Sequence, residues 1–188
     1  MINGINSREM ILEILLEIEE GEHSHVAIRN ALSKYQFLPK QDRAFITRVC
    51  EGTLEYRIQI DYIINSFSKV TVDKMKPAIR EILRSAVYQL KYMDSVPDSA
   101  VCNEAVKLAQ RKGFYNLKPF VNGVLRTIAR EMDQVRFPQK EDDLLKYLSV
   151  KYSMPEVLVT RWLEAYGEET TEKILADFLT EHPLTIRC

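Results

Sequence analysis

The sequence is short of turn-forming residues and has no run long enough to span a membrane. Six glycines and seven prolines in 188 residues leave too little turn chemistry for a sandwich or barrel of many short strands. No apolar run approaches ~20 residues, so nothing crosses a bilayer as a helix. The amino terminus, MINGINSREM, lacks the basic-then-apolar layout of a secretory leader. Cys50, Cys102 and Cys188 stand without CxxC spacing. That excludes a disulfide frame or zinc site and implies reduced thiols in a cytoplasmic protein. The strings GxGxxG, GxxxxGK(S/T), GxSxG and HExxH are all missing, and with them the usual means of holding a dinucleotide, a triphosphate, an acyl group or a catalytic zinc. His23 and His25 flank Ser24 at an expected helix start, where a solvated turn explains them. His182 precedes Pro183 and has no partner in the sequence. No metal is expected.

What is present is helical. Hydrophobic residues make up 46% of the chain, rich in Leu, Ile and Ala. Net charge is −1, which by itself does not advertise nucleic acid. The distribution is uneven. Residues 1–134 hold 19 Lys/Arg against 17 Asp/Glu, and five of those acids crowd into Glu13, Glu17, Glu19, Glu20 and Glu22. Residues 135–188 hold 7 basic against 10 acidic residues. A local basic surface is therefore compatible with the composition.

Seven helices are expected in residues 1–134. The first starts at Ser7, with Asn6 and Glu9 spaced as a capping box and Gly21 as the stop. Ser24 is placed as the cap of a second. Pro39 opens a third, and Ile60, Ile63, Ile64 and Phe67 mark a fourth, separate from the third or continuous with it. Pro77 begins the clearest helix, with Ile79, Ile82, Leu83, Ala86, Val87 and Leu90 on one face. A sixth runs from about Ser99 to Lys112 and is closed by Gly113. The seventh spans about Lys118 to Met132. The charged connector QVRFPQKEDD then marks a boundary near 135–139, followed by helices at 141–151, 155–166 and 168–180. The tail HPLTIRC resembles the start of a strand, as though a further domain should follow.

The seventh helix carries FVNGVLR, residues 120–126. Asn-Gly is the strongest short hairpin signal, yet Phe120, Val121, Val124, Leu125 and Ile128 keep a helical period. The helix is the better reading. A glycine inside it implies close approach of a neighbouring helix, so Gly123→Leu is expected to damage folding. Asn122 is expected to serve that crossing, with an RNA-facing role beside Lys118 and Arg126 as the alternative.

Three basic stripes suggest phosphate contacts. Lys76, Arg80 and Arg84 are four apart with Tyr88 next in line. Lys107 and Arg111 share a face, with Lys112 adjacent. Lys118, Asn122, Arg126 and Arg130 keep the same step. Each is expected at least partly away from the apolar side, where cations can meet phosphates and an aromatic or amide can meet bases. Solvated helix faces explain the same residues without a ligand.

The string ILRSAVYQLKYMDSVPDSAVCNEAVKLAQRKGF, followed by FVNGVLR, resembles the signature region of NusB-like domains in motif and in order. The resemblance runs through residues 1–134. Residues 135–188, with YSMPEVLVTRWLEAYGEE and EKILADFLTEHPLTIRC, resemble the linker of RsmB (Sun/Fmu) rRNA cytosine-5 methyltransferases. It implies an all-α fold: a NusB-like bundle of about seven helices with a small helical extension. It implies residues 1–134 as the RNA-binding domain, and 135–188 as a linker leading into a methyltransferase domain outside this sequence. The parent enzyme would use S-adenosylmethionine. By the same resemblance this chain is expected to hold no cofactor itself, because the family's catalytic cysteine motifs and DLCAAPGGK-like loop do not occur in it, and Cys188 is not expected to be the nucleophile. Small-subunit ribosomal RNA and the catalytic domain are the expected partners. Arg8, Arg80, Arg84, Lys107, Arg111, Lys112, Arg126 and Arg130 are the expected phosphate contacts. The alternatives are a free antitermination factor and a protein-docking module. The first is disfavoured by the extension and by a basic arm reduced to Arg8.

Overall fold

The computed structural model describes residues 6–180, and the chain divides into two compact units between Val135 and Arg136. The first holds α1 (Ser7–Glu19), α2 (Ser24–Lys34), α3 (Lys40–Glu55), α4 (Arg57–Phe67), α5 (Pro77–Tyr92), α6 (Asp98–Arg111) and α7 (Lys118–Glu131). The second holds α8 (Leu144–Lys151) and α9 (Glu156–Phe178). No strand occurs among the described residues. The strand expected in HPLTIRC lies outside them, as does Cys188.

Local sequence accounts for the helix ends. Asn6 Oδ1 accepts the Arg8 and Glu9 amides at 2.9 and 3.3 Å, satisfying two donors the first turn leaves open. Ser24 is not the cap of α2: it is the first helical residue, and His23 precedes it without a side-chain cap. The third and fourth helices are separate, parted at Tyr56. Gly113 has φ 86°. It donates to Gln110 O at 3.0 Å while Phe114 donates to Ala109 O at 2.9 Å, the paired closure that glycine permits after a helix.

The first unit is organised around α5. This helix packs on α1, α3, α4, α6 and α7, and nine of its sixteen residues are buried. Its apolar stripe is buried from Ile79 to Val87, as are Ile11 and Leu15 of α1, Ile46 and Val49 of α3, and Val121 and Leu125 of α7, the helices that pack on it. Gly52 of α3 faces the ring of Tyr88 on α5, where a Cβ would overlap ring carbons and the hydroxyl. Tyr88 in turn neighbours Tyr56 and Tyr92, which stack on each other with centroids 4.3 Å apart.

The second unit has its own small core of Leu148, Val159 and Leu175, with Leu144, Met154 and Leu163 packed against it. Gly167 breaks α9 with φ 74°, so two helical segments meet there. Glu172 accepts from Lys151 Nζ (3.0 Å), Lys140 Nζ (3.1 Å) and Tyr152 Oη (3.1 Å). These donors, Lys151 foremost, hold its carboxyl down at about 2.

A carboxyl depressed by folding stabilises the fold above its unfolded pKa and stops doing so as pH falls through its folded value. The second unit is therefore expected to loosen progressively between about pH 4.5 and about 2. Trp162, the single tryptophan, stacks on Phe178 at 5.7 Å, so its fluorescence follows this unit alone. Glu172→Gln is expected to flatten that pH dependence; an unchanged profile in the variant would count against the cluster.

Candidate nucleic-acid interface

The expected phosphate contacts separate into two groups, one facing inward and one outward. Arg80 and Arg84 face inward. Arg80 pairs with Glu19 of α1 and donates Nη1 to Val72 O at 3.1 Å. Arg84 grips Asp61 of α4 through Nε and Nη2, at 2.7 and 2.6 Å, and reaches Glu81 through Nη1 at 2.6 Å. Burial opposes the Arg84 charge, but Asp61 and Glu81 outweigh it and raise the guanidinium pKa. Burial likewise raises Glu81, against the pull of Arg84. Tyr88, next in that stripe, is buried. For Arg80, Arg84 and Tyr88 the outward placement expected of this stripe is thus corrected: α5 has neighbours on many sides, and its two arginines are matched inside the bundle. Lys76, just before α5, is exposed, with its ammonium 5.8 Å from the centre of the Phe114 ring.

Two more are engaged inside the unit. Lys112 meets Glu13 at 3.0 Å and Glu9 at 3.2 Å. Arg8 lies over the Phe45 ring, 5.3 Å from its centroid, and burial lowers its pKa.

The outward group lies on α6 and α7, which pack together across the short connector 112–117. Lys107, Arg111, Arg126 and Arg130 are all exposed. Lys107 pairs with Glu104 at 2.8 Å, and Arg130 with Glu131 at 2.6 Å. Such exposed pairs open cheaply. Arg126 Nε donates to Asn122 Oδ1 at 2.9 Å. Arg126 also opposes burial in its effect on the Cys102 thiol, which places it beside α6. Arg111 and the half-buried Lys118 have no ion-pair partner among the described residues.

Tyr115, between the two helices, exposes 60% of its surface. Sequence reasoning misses it, although an aromatic placed directly after a helix-closing glycine and Phe114 is a usable signal.

Gly123 is exposed, and among the described residues a Cβ there would meet nothing within 4 Å. The expectation of a helix crossing at this glycine is overturned: the helix face at this position is bare. Relative to alanine the glycine costs about 1 kcal/mol of helix stability. Asn122 serves Arg126 on the surface, not a crossing.

Cys50 and Cys102 are buried free thiols, and burial pushes both pKa values up. Among the described residues no three His, Cys, Asp or Glu side chains are placed to hold a metal. No helix there is long and apolar enough to cross a membrane. The cleft bounded by Arg57, Arg80, Arg84, Glu19 and Glu81 is about 210 Å³. That is below the ~300–1,000 Å³ of sites for cofactor-sized ligands, and it is lined by charges. A hollow of about 410 Å³ in the second unit is edged by the Lys140, Glu168 and Glu172 ion pairs.

Fold and surface together define an all-helical domain, among the described residues, with exposed cations on α6 and α7. The NusB family matches residues 5–130; the chain belongs to that family. It is 34% identical over 180 residues to the probable ribosomal RNA small subunit methyltransferase B of Bacillus subtilis (strain 168), covering 96% of this chain and 40% of that protein. It is 33% identical over 130 residues to the transcription antitermination protein NusB of Dictyoglomus thermophilum, covering 69% of this chain and 85% of that one. Two solved structures share the fold at 21% identity. The crystal structure of PH0851 has a TM-score of 0.73 over 95% of this chain and 40% of that one. The NusB of an antitermination complex of NusB and NusE with dsRNA has a TM-score of 0.61, covering 66% of this chain and 93% of that one. The chain spans about two-fifths of the length of the methyltransferase relatives it matches.

Proposed function

We propose that this chain is the RNA-binding module of a small-subunit rRNA cytosine-5 methyltransferase. It holds ribosomal RNA by backbone contacts and orients it for a catalytic domain that carries S-adenosylmethionine. The parent protein acts in the cytoplasm. The observation that carries this reading is the strip Lys107, Arg111, Lys118, Arg126 and Arg130, whose cations the fold does not require for its own core. A cationic surface of this kind binds phosphates without reading sequence, and the exposed aromatic Tyr115 beside it suits stacking on an unpaired base. The likeness to methyltransferase relatives over 96% of the chain, and to a NusB solved with RNA, supports the choice of ligand. Arg8, Arg80, Arg84 and Lys112 act in this reading as internal supports.

Titration of the chain with small-subunit rRNA fragments at several salt concentrations tests it. Affinity is expected to fall steeply with salt. Arg126→Glu with Arg130→Glu is expected to weaken binding by about tenfold or more and to reduce the salt slope by about one for each phosphate no longer met. Salt-independent or undetectable binding by the unaltered chain would defeat the reading.

A protein-docking role has one specific observation in its favour. The second unit exposes Val157, Tyr166 and Phe178, large apolar side chains that suit a protein partner better than RNA. Retained RNA affinity in the double charge reversal, together with failure to associate with the catalytic domain, would select docking.

A further inference from the structure

Among the described residues nothing explains Gly123. It sits mid-helix in α7, is exposed, has no positive φ to accommodate, and no described residue stands where a side chain would reach. At 3.6 residues per turn, Pro119, Gly123, Arg126 and Arg130 fall on one outward strip, and all four are exposed. Within that strip the glycine leaves helix backbone uncovered, with Arg126 held alongside by Asn122 at 2.9 Å. A glycine that disfavours its own helix and fills no tight crossing makes sense if something outside the chain must come close to the helix backbone. The charge around it indicates what. Arg126 and Arg130 edge the bare patch, and Lys118 lies one turn before Asn122. The acid pairing there, Glu131 with Arg130, is exposed and readily opened.

We propose that the bare strip at Gly123 is a contact surface on which an RNA sugar–phosphate backbone lies directly against α7, with Arg126 and Arg130 meeting phosphates at its edge. The proposal rests on the RNA-binding reading above and adds a steric requirement: the surface must be empty at 123 as well as positive around it. A protein partner is the competing occupant, disfavoured because the cations Arg126 and Arg130 edge the patch.

The test uses the full chain and two variants, Gly123→Ala and Gly123→Leu, with a labelled hairpin from small-subunit rRNA as the probe. Removing a helix-interior glycine raises stability, so Gly123→Ala is expected to melt about 2–4 °C higher. The same variant is expected to bind RNA roughly threefold more weakly, and Gly123→Leu about tenfold more weakly, with the salt slope unchanged because no cation is removed. Stability rising while affinity falls is an outcome that a structural role for the glycine does not produce. Should Gly123→Leu fail to fold, Gly123→Ala alone decides. Wild-type affinity in both folded variants overturns the proposal while leaving RNA binding intact; absence of RNA binding in the unaltered chain overturns both. Undiminished RNA affinity alongside weakened association with a protein assigns the strip to that protein and also overturns it.

Discussion

Replacing Arg84 by alanine is expected to destabilise the first unit by about 3–5 kcal/mol, the range for breaking a buried ion pair from one side. The side chains concerned are mostly buried: Arg84 is 11% exposed and Glu81 5%. Without the guanidinium, Asp61 loses both of its forked donors and Glu81 is left as a buried carboxylate beside it, with Arg80 Nε 4.0 Å away. Lysine recovers only part of the loss, because an ammonium cannot span both carboxylate oxygens in one plane. Urea denaturation followed by far-UV circular dichroism measures this. Arg126→Ala is the control, expected within about ±0.5 kcal/mol of the unaltered chain. If Arg84→Ala were as benign as the control, the inward placement of Arg84 would be untenable and its place among phosphate contacts would revive.

Gly52→Ala is expected to cost at least about 3 kcal/mol, the upper end for overpacking a core. One methyl group is added, but it lands on the Tyr88 ring. That ring is buried on α5 and hemmed in by Tyr56 and Tyr92, so it has no open side to swing toward. The helices must part or the ring must leave the core. The diagnostic is coupling: Gly52→Ala combined with Tyr88→Leu is expected to lose less than the two single changes added together. Strict additivity would mean that the ring does not confine residue 52.

The helices were legible because their signals are local. Asn6, Pro39, Pro77 and Gly113 mark ends through chemistry carried by one or two residues, and the stripe from Ile79 to Leu90 shows its period without help from the rest of the chain. What the sequence could not show was how many sides of a helix are covered. Arg80, Arg84 and Tyr88 fall opposite enough of the apolar stripe to look solvated, yet α5 lies in the middle of the bundle and partners arrive from α1 and α4. Burial on all sides is a tertiary property, and a helix with matched internal charges looks from its own sequence like a surface helix. Gly123 failed in the opposite sense. A helical glycine implies tight packing somewhere; that the described residues leave the space beside it open is a property of the assembled bundle. Gly52 carried no signal beyond being a glycine in a helix, since its reason lies in Tyr88, thirty-six positions away. On α6 and α7 the spacing of Lys107 with Arg111, and of Asn122, Arg126 and Arg130, was enough to group side chains that the fold leaves facing outward.

The position of α5 also bears on how the chain is made. Among the described helices of the first unit it is fifth in chain order but the one on which α1, α3 and α4 pack. Until Tyr92 has left the ribosome, those three helices have no completed surface on which to bury Ile11, Ile46 or Ile63, and isolated helices of their length are marginal in water. Residues 7–92 therefore emerge before the core of the first unit can close. During translation that stretch is the part of the unit most exposed to chaperones and proteases. Slowing elongation just after α5 is expected to favour the native bundle more than a pause of equal length just before it.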